Sequence, residues 1–100
     1  MITCCIQYRI DPLRLAEFED YASRWRPIIE RCGGTLVDYY LPKEGATDFA
    51  LALINFDSLA SYEAYRARLA ADPQAQRNIA DVSTSRAIIS ESRSFLRPAG

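Results

Sequence analysis

The sequence predicts an α+β domain of the ferredoxin-like kind, in which a four-stranded antiparallel sheet carries its helices on one face. Two observations lead to this fold class. Stretches with alternating apolar residues and stretches with apolar residues at steps of three and four follow one another as strand, helix, strand, strand, helix, strand. The third strand is apolar on both sides, and helices can cover only one of them. We therefore expect a second copy of the chain on the other side, as a homodimer.

The composition fits a single globular domain over residues 1–100, with 49% hydrophobic and 25% charged residues. The 12 basic and 13 acidic residues are interspersed and give a net charge of -1, so no field of one sign attracts nucleic acid or anionic lipid. We expect no nucleic-acid partner and no membrane partner. The apolar run 49–54 is much shorter than the ~20 residues that span a bilayer. No leader precedes Ile2, and we expect a cytoplasmic protein.

The cysteines indicate a reducing compartment. Cys4, Cys5 and Cys32 are an odd number without a signal peptide, which favours structural thiols over a disulfide framework. Neighbours on a strand point to opposite faces, so Cys4 and Cys5 cannot bind one metal ion, and the chain has no histidine. We expect no metal site and no cofactor.

The first strand is predicted from Ile2 to Ile10, because apolar residues alternate with more polar ones along it. Asp11 then offers a helix N-cap, and Pro12 suits the first helical position. The helix that follows has an apolar residue every three or four positions, at Leu15, Phe18, Ala22, Trp25 and Ile29. Gly33 and Gly34 end this helix.

Pro27 lies inside this predicted helix and argues against a straight, unbroken helix. Pro27 lacks the backbone N–H that an interior helical residue donates. We therefore expect a kink or a one-turn break near Arg24.

A hairpin with a long loop follows. Residues from Thr35 to Leu41 are rich in β-branched and aromatic side chains, the segment 42–48 carries Pro, Gly and charge, and Phe49 to Phe56 is apolar again. In this third strand one side holds Phe49, Leu51 and Leu53, and the other holds Ala50, Ala52, Ile54 and Phe56. Burying one set under the helices leaves the other set exposed.

The second half of the chain begins with another cap signal. Asp57 and Ser58 precede apolar residues at helical spacing, namely Leu59, Tyr62 and Leu69, with Tyr65 or Arg66 between them. Asp72 and Pro73 repeat the cap signal, which predicts a short third helix carrying Ala75, Ile79 and Val82. The last strand is predicted from about Ser85 to Leu96.

Several short segments, spread over nearly the whole chain, form a pattern when taken together. They are Tyr8-Arg9-Ile10 running into Leu15-Ala16-Glu17-Phe18, Pro27-Ile28-Ile29 before Gly33-Gly34, Phe56-Asp57-Ser58-Leu59-Ala60, Arg66 to Pro73, and Phe95-Leu96-Arg97-Pro98. With these segments the chain resembles a NIPSNAP domain of the dimeric α/β barrel superfamily. The resemblance implies a ferredoxin-like protomer and a homodimeric barrel, but no defined activity.

The third strand departs from the pattern of that family. Members often carry His and Trp at positions that fall on Ala52 and Ile54 here. Chemistry that rests on those residues cannot be carried over to this chain. Haem-handling members of the superfamily bind iron through a histidine, which this chain lacks. We therefore expect no haem-degrading role unless a Tyr or Cys replaces the histidine as the ligand.

Polar and aromatic residues inside the elements are the candidates for a ligand site. Asn55 stands in an apolar strand and can orient a carbonyl group, although a cap on the turn beside Asp57 is the favoured explanation. Tyr21 and Trp25, on the inward side of the first helix, can form the wall of an aromatic pocket or simply pack in the core.

Phenols and guanidinium groups complete the candidate set. A hydroxyl from Tyr8, Tyr39 or Tyr40 can donate to an oxyanion, or act as an acid or base if its pKa is shifted. Three arginines on outer strands can clamp a ligand carboxylate, pair across a dimer with Glu91, or lie in solvent as edge charges: Arg9, Arg86 and Arg93. The best candidates for catalysis are Asn55 and Tyr8.

The leading functional hypothesis is a homodimeric barrel that binds a hydrophobic, aromatic or polyketide-like small molecule between sheet and helices. Two alternatives remain open: a cofactor-independent monooxygenase or cyclase acting on such a molecule, and a non-catalytic assembly module. RNA binding is disfavoured because the third strand has neither the basic nor the glycine residues of an RNA-recognition sheet. The sequence does not decide whether the protein is an enzyme.

Overall fold

The computed structural model describes residues 1–100 and confirms the α+β, ferredoxin-like fold class. In chain order the elements are β1 (Ile2–Ile10), a 3-10 turn (Pro12–Arg14), α1 (Leu15–Cys32), β2 (Thr35–Tyr40), β3 (Phe49–Phe56), α2 (Leu59–Ala70), α3 (Pro73–Ser85) and β4 (Ile88–Leu96). The strands lie in the order β2-β3-β1-β4, and every neighbouring pair is antiparallel. This order brings the two ends of the chain, β1 and β4, side by side.

Side-chain caps begin the helical segments at the positions that the sequence indicates. The Asp11 carboxylate accepts a hydrogen bond from the Leu13 N–H at 3.0 Å. Ser58 Oγ accepts from the Ser61 N–H at 3.1 Å. The Asp72 carboxylate accepts from two backbone N–H groups at the start of α3. Each cap satisfies donors that the first helical turn leaves unpaired.

Two glycines connect α1 to β2 for different reasons. Gly33 ends the helix in the left-handed conformation, with φ 111°, which side-chain-bearing residues adopt at a cost. Gly34 is needed because space is short. A Cβ atom on Gly34 would lie 2.9 Å from Ile29 Cγ2 and 3.0 Å from Ile54 Cγ2.

Three expectations about the elements need correction. The one-turn break near Arg24 is absent, because α1 runs continuously through Pro27 and is anchored on both sides of it by buried residues such as Trp25 and Ile28. The third helix is not short but has 13 residues. The last strand begins at Ile88 rather than near Ser85, since Arg86 turns the chain in the left-handed conformation.

The core lies between the helices and one face of the sheet. On β3, the side chains that face the core are at most 3% exposed: Ala50, Ala52, Ile54 and Phe56. From α1 it receives seven buried side chains: Phe18, Tyr21, Ala22, Trp25, Ile28, Ile29 and Cys32. All three cysteines are buried and free.

The opposite side of the sheet carries no helix, and we call it the open face. Its apolar members include Val37, Tyr40, Phe49, Leu51 and Leu53. Phe49 is 46% exposed, whereas Leu51 and Leu53 are half-buried by their neighbours on the strand. The prediction that burying one side of β3 exposes the other is therefore confirmed.

The outer edge of β2 is irregular. The pairing of β2 with β3 shifts register between Leu36 and Asp38, which marks a bulge at Val37. Arg26 of α1 reaches this point and donates hydrogen bonds to the carbonyl oxygens of Leu36 at 3.0 Å and of Val37 at 3.3 Å. The bulge carbonyls are thus bonded by a side chain. None of the helices is both long and apolar enough to cross a membrane.

Candidate functional site

A cavity of about 980 Å³ lies between the helix-covered face of the sheet and the helices. Of its 22 lining residues, 16 are hydrophobic, and every strand and every helix contributes at least one. Only Ile88 of β4 is half-buried and the rest of that strand is exposed, so the cavity opens along β4. A mainly apolar cleft of this size is typical of small-molecule sites.

Three tyrosines form one end of this cavity. The hydroxyl oxygens of Tyr8 and Tyr39 lie 3.3 Å apart, and their rings stack with centroids separated by 6.0 Å. Tyr21 meets both rings edge-on, with each centroid 6.3 Å away. Phe18 supports Tyr8 from behind at 5.1 Å. The side chains of this phenol cluster, Tyr8, Tyr21 and Tyr39, are thereby held in fixed positions.

Burial determines the protonation of the phenol cluster. It raises the pKa of Tyr8, Tyr21 and Tyr39 above the ordinary tyrosine value, because the phenolate loses its hydration. For Tyr8, the nearby Tyr39 and Tyr21 add to this rise in pKa. All three side chains are therefore neutral at physiological pH. They can donate and accept hydrogen bonds, but they are poor general bases.

Trp25 contributes a further polar group next to this cluster. It lines the cavity, is 4% exposed, and packs edge-on against Tyr21 with a centroid distance of 5.6 Å. Its Nε1 is buried without a hydrogen-bond partner. An unpaired buried donor costs free energy, and a ligand oxygen can satisfy it.

The other end of the cavity is a second aromatic group, between β3, α2 and β4. Phe56 lies 4.8 Å from Tyr65 and 5.3 Å from Tyr62, and Tyr62 in turn lies 4.7 Å from Phe95. Burial also raises the pKa of Tyr65. Arg93 of β4 donates a hydrogen bond from Nη1 to the Tyr62 hydroxyl at 3.0 Å.

The structure brings together most of the residues that the sequence singles out. Tyr8, Tyr21, Trp25 and Tyr39 line the cavity as one aromatic group, and Arg93 lies at its exposed side. Arg86 lines it as well.

Asn55 lies elsewhere, and its proposed contact with a ligand in this cavity is wrong. It pairs with Thr3 and Thr35 across the strands of the open face, and its Oδ1 accepts a hydrogen bond from Thr3 Oγ1 at 2.7 Å. Asn55 has the same strand parity as Leu53, and this side of β3 faces away from the helices. It does not cap α2 either, because Ser58 does so.

Tyr40 and Arg9 are also absent from the cavity. Tyr40 pairs with Leu51 on the open face. Arg9 forms an ion pair with Asp48, 3.4 Å from Nε to Oδ2, at the end of the sheet. Neither can contact a ligand bound under the helices.

α2 contributes cavity residues that the sequence does not single out as site candidates. Tyr62, Tyr65, Arg66 and Leu69 all line the cavity. Their spacing of three, four and seven residues places them on one face of a helix, and this pattern is visible in the sequence. The alternation along β4 likewise places Glu91 beside Arg93 on the cavity side. No group of three or more Cys, Asp or Glu side chains is placed to hold a metal ion.

Comparison with known proteins identifies a family and several solved structures with a similar fold. The NIPSNAP family model matches residues 4–100. A crystal structure of an uncharacterised NIPSNAP domain protein from Burkholderia xenovorans is 25% identical, with a TM-score of 0.84, over 100% of this chain and 96% of that one. A protein of Agrobacterium tumefaciens is 22% identical, with a TM-score of 0.86, over 99% and 94% of the two chains.

A more distant structural similarity relates this fold to a second group of proteins. A proposed antibiotic biosynthesis monooxygenase from Nitrosomonas europaea has a TM-score of 0.76 at 7% identity, over 100% of both chains. This likeness concerns the fold alone. No curated protein matches the sequence.

Proposed function

The chain belongs to the NIPSNAP family, and we propose that it binds an apolar, aromatic small molecule in the cavity between its sheet and its helices. The observation that carries this proposal is a cavity with mostly hydrophobic walls that contains a cluster of neutral phenols. Apolar walls favour a hydrophobic ligand, and a few fixed polar groups select its orientation.

The polar groups in the cavity indicate which atoms the ligand presents to them. Tyr8 and Tyr39 can each donate to a carbonyl or accept from a hydroxyl, and Trp25 Nε1 can only donate. The stacked and edge-on rings around them suit a flat aromatic body. We therefore propose a polycyclic compound that carries carbonyl or phenol oxygens.

Trp25 provides a direct assay, because it is the only tryptophan of the chain and lines the cavity. Titration with hydroxylated anthraquinones is expected to quench its fluorescence to saturation and to raise the melting temperature. If no polycyclic phenol or quinone changes either signal, the proposal is wrong.

A matched pair of variants locates the binding site. Tyr8→Phe keeps the ring and removes the hydroxyl in the cavity, and we expect roughly five- to tenfold weaker binding, the effect of one lost hydrogen bond. Tyr40→Phe makes the same change on the open face and should leave binding unchanged. Equal affinities of the two variants would place the ligand elsewhere.

Catalysis is the second candidate function, and the structural likeness to a proposed antibiotic biosynthesis monooxygenase supports it. In the reaction to test, dioxygen converts an activated CH₂ group, as in anthrone, to a ketone. Both C–H bonds break, one oxygen atom enters the carbonyl group, and the other leaves as water. Dioxygen accepts all the electrons, so no cofactor is required.

Aerobic incubation of anthrone with the protein tests this reaction. Mass spectrometry with isotopically labelled dioxygen should show one labelled oxygen atom in the product, formed faster than in buffer alone. Tyr8→Phe should slow the reaction and Tyr40→Phe should not. Binding without conversion would leave a binding or assembly role as the function.

We further propose that the open face pairs with the open face of a second copy. Its apolar residues would otherwise remain in water, whereas burying them between two copies would stabilise the pair. Two sheets packed in this way give the homodimeric barrel that the sequence leads us to expect.

A further inference from the structure

The geometry points to an anionic ligand: we propose that the aromatic compound carries a carboxylate, and that Arg66 and Arg93 bind it at the exposed side of the cavity. This inference rests on the proposed function, because it names the chemical class of the ligand of that same cavity.

The first observation is that the arginines of the cavity form no ion pair, although the charge of Glu91 acts on Arg93 from beyond ion-pair distance. Every ion pair of the chain is formed by one of four other arginines: Arg9, Arg24, Arg26 and Arg31. Arg66, Arg86 and Arg93 line the cavity and have no carboxylate within 4.0 Å. The only acidic residue in the lining is Glu91. Low-dielectric walls strengthen the resulting positive potential inside the cleft.

The second observation is that two of these arginines come from different elements and that both act on the same cavity residues. Arg66 lies on α2 and Arg93 on β4, whereas Cys4 lies on β1. Burial raises the pKa of the Cys4 thiol, and the positive charges of Arg93 and Arg66 both oppose that rise. The same two charges also oppose the rise in the pKa of Tyr65. A carboxylate above Cys4 would therefore interact with two guanidinium groups at once.

The third observation is that Arg93 is already oriented. Its hydrogen bond to Tyr62 uses one of the five donors of the guanidinium, and Tyr62 is held between Phe56 and Phe95. The remaining donors suit the two oxygens of a carboxylate. The guanidinium of Arg66 donates to no protein group, so all five of its donors are available for the same anion.

Two probes of nearly equal shape separate the charge from the apolar body: anthracene carboxylate and anthracene carboxamide. Both absorb where tryptophan emits, so binding can be followed by energy transfer from Trp25. We expect the carboxylate to bind roughly tenfold more tightly than the carboxamide, as charge-assisted hydrogen bonds allow. Added salt should reduce this difference.

Variants then assign the preference to the two arginines. Arg66→Gln and Arg93→Gln together should remove the preference for the carboxylate, so that the two probes bind with equal affinity. An unchanged midpoint of urea unfolding in the absence of probe reports that the fold of the double variant is intact. Arg93→Lys keeps the charge but loses the planar fork, and should retain only part of the preference. Arg77→Gln makes the same charge change on α3, outside the cavity, and should have no effect.

The possible results distinguish the two proposals. If the carboxamide binds and the carboxylate binds no more tightly, or if the preference survives in the double variant, the anion inference is wrong and the proposed function stands. If neither probe binds, the anion inference is wrong, and the anthraquinone titration decides the proposed function separately.

Discussion

Tyr8 and Tyr39 show how burial fixes the chemistry of single residues in this protein. Their hydroxyl groups lie 3.3 Å apart within an aromatic wall, and neither phenol has a charged partner that would stabilise its ionised form. Both act as neutral hydrogen-bonding groups. A reaction that needs a base inside this cavity would have to use another group.

The buried tyrosines predict a loss of stability at alkaline pH. Folding raises their pKa, so the folded chain keeps protons that the unfolded chain releases above its ordinary tyrosine pKa of about 10. Below that pH the protonated phenols contribute fully to the free energy of unfolding. As the pH rises above it, each such group lowers the free energy of unfolding by about 1.4 kcal/mol per pH unit.

Urea titrations at a series of alkaline pH values test this prediction. Tyr39→Phe should lower the stability at neutral pH and flatten its decline above about pH 10. An equally steep decline in wild type and variant would show that Tyr39 ionises in the folded chain as it does in the unfolded chain.

Gly34 allows a second prediction for a single residue. The Cβ of Gly34→Ala would be forced against Ile29 and Ile54, at 2.9 and 3.0 Å. Both neighbours are buried and cannot move away, so the variant should lose about 1–3 kcal/mol of unfolding free energy in urea. Gly100→Ala, with no atom within 4 Å of the new methyl group, is the control and should be neutral.

Among the helices, α2 buries the fewest side chains. It buries only Tyr65 and Leu69, whereas α1 buries seven side chains. α3 is tied to α1 by the ion pair of Arg24 with Asp81 and by the hydrogen bond from Asn78 Nδ2 to the Tyr21 carbonyl oxygen. Because α2 also forms a wall of the cavity, it is the natural element to move when a ligand enters.

Hydrogen exchange should report this difference. We expect the amides of α2 to exchange faster than those of α1 and α3 in the free protein, because fewer buried contacts oppose local opening. Anthracene carboxylate should slow exchange in α2 most. Uniform protection across the three helices would contradict this assignment.

The elements also show what the sequence can predict. β1 and β3 have the predicted bounds, because alternation defines β1, a continuous apolar run defines β3, and turn residues flank both strands. Pro27 does not interrupt α1, since the packing of the helix on the sheet outweighs one missing hydrogen bond. Phenols of the cavity were recognised from the inward faces of strands and helices, but Asn55 was misplaced and Arg66 missed. The position of Asn55 depends on which face of the sheet the helices cover, and that of Arg66 depends on how α2 packs beside β4. Both are properties of the tertiary structure.

The whole molecule is a thin plate of two layers, with extents of 37 × 35 × 19 Å. The open face therefore extends over nearly the full width of the plate. An area of this order exceeds the ~800 Å² that each partner contributes to a standard interface. The shape is thus suited to pairing of two sheets face to face.

A charged residue in the middle of the open face should prevent this pairing. We expect light scattering to give the mass of two chains for the wild type and of one chain for Leu53→Asp, because an unpaired carboxylate would be buried between the sheets. Leu13→Asp introduces the same charge at a side chain that is 91% exposed and should remain dimeric. A wild-type mass of one chain at micromolar concentration would refute the dimer.

The contact of Arg26 with the bulge of β2 bears on a different hazard, aggregation. β2 is an edge strand, and free strand edges recruit strands of other chains into fibrils. A foreign strand at this edge would have to displace the guanidinium from the carbonyls of Leu36 and Val37. Arg26 belongs to α1, so this protection exists only once the helix has docked. The nascent sheet is consequently most vulnerable to fibril formation before α1 docks.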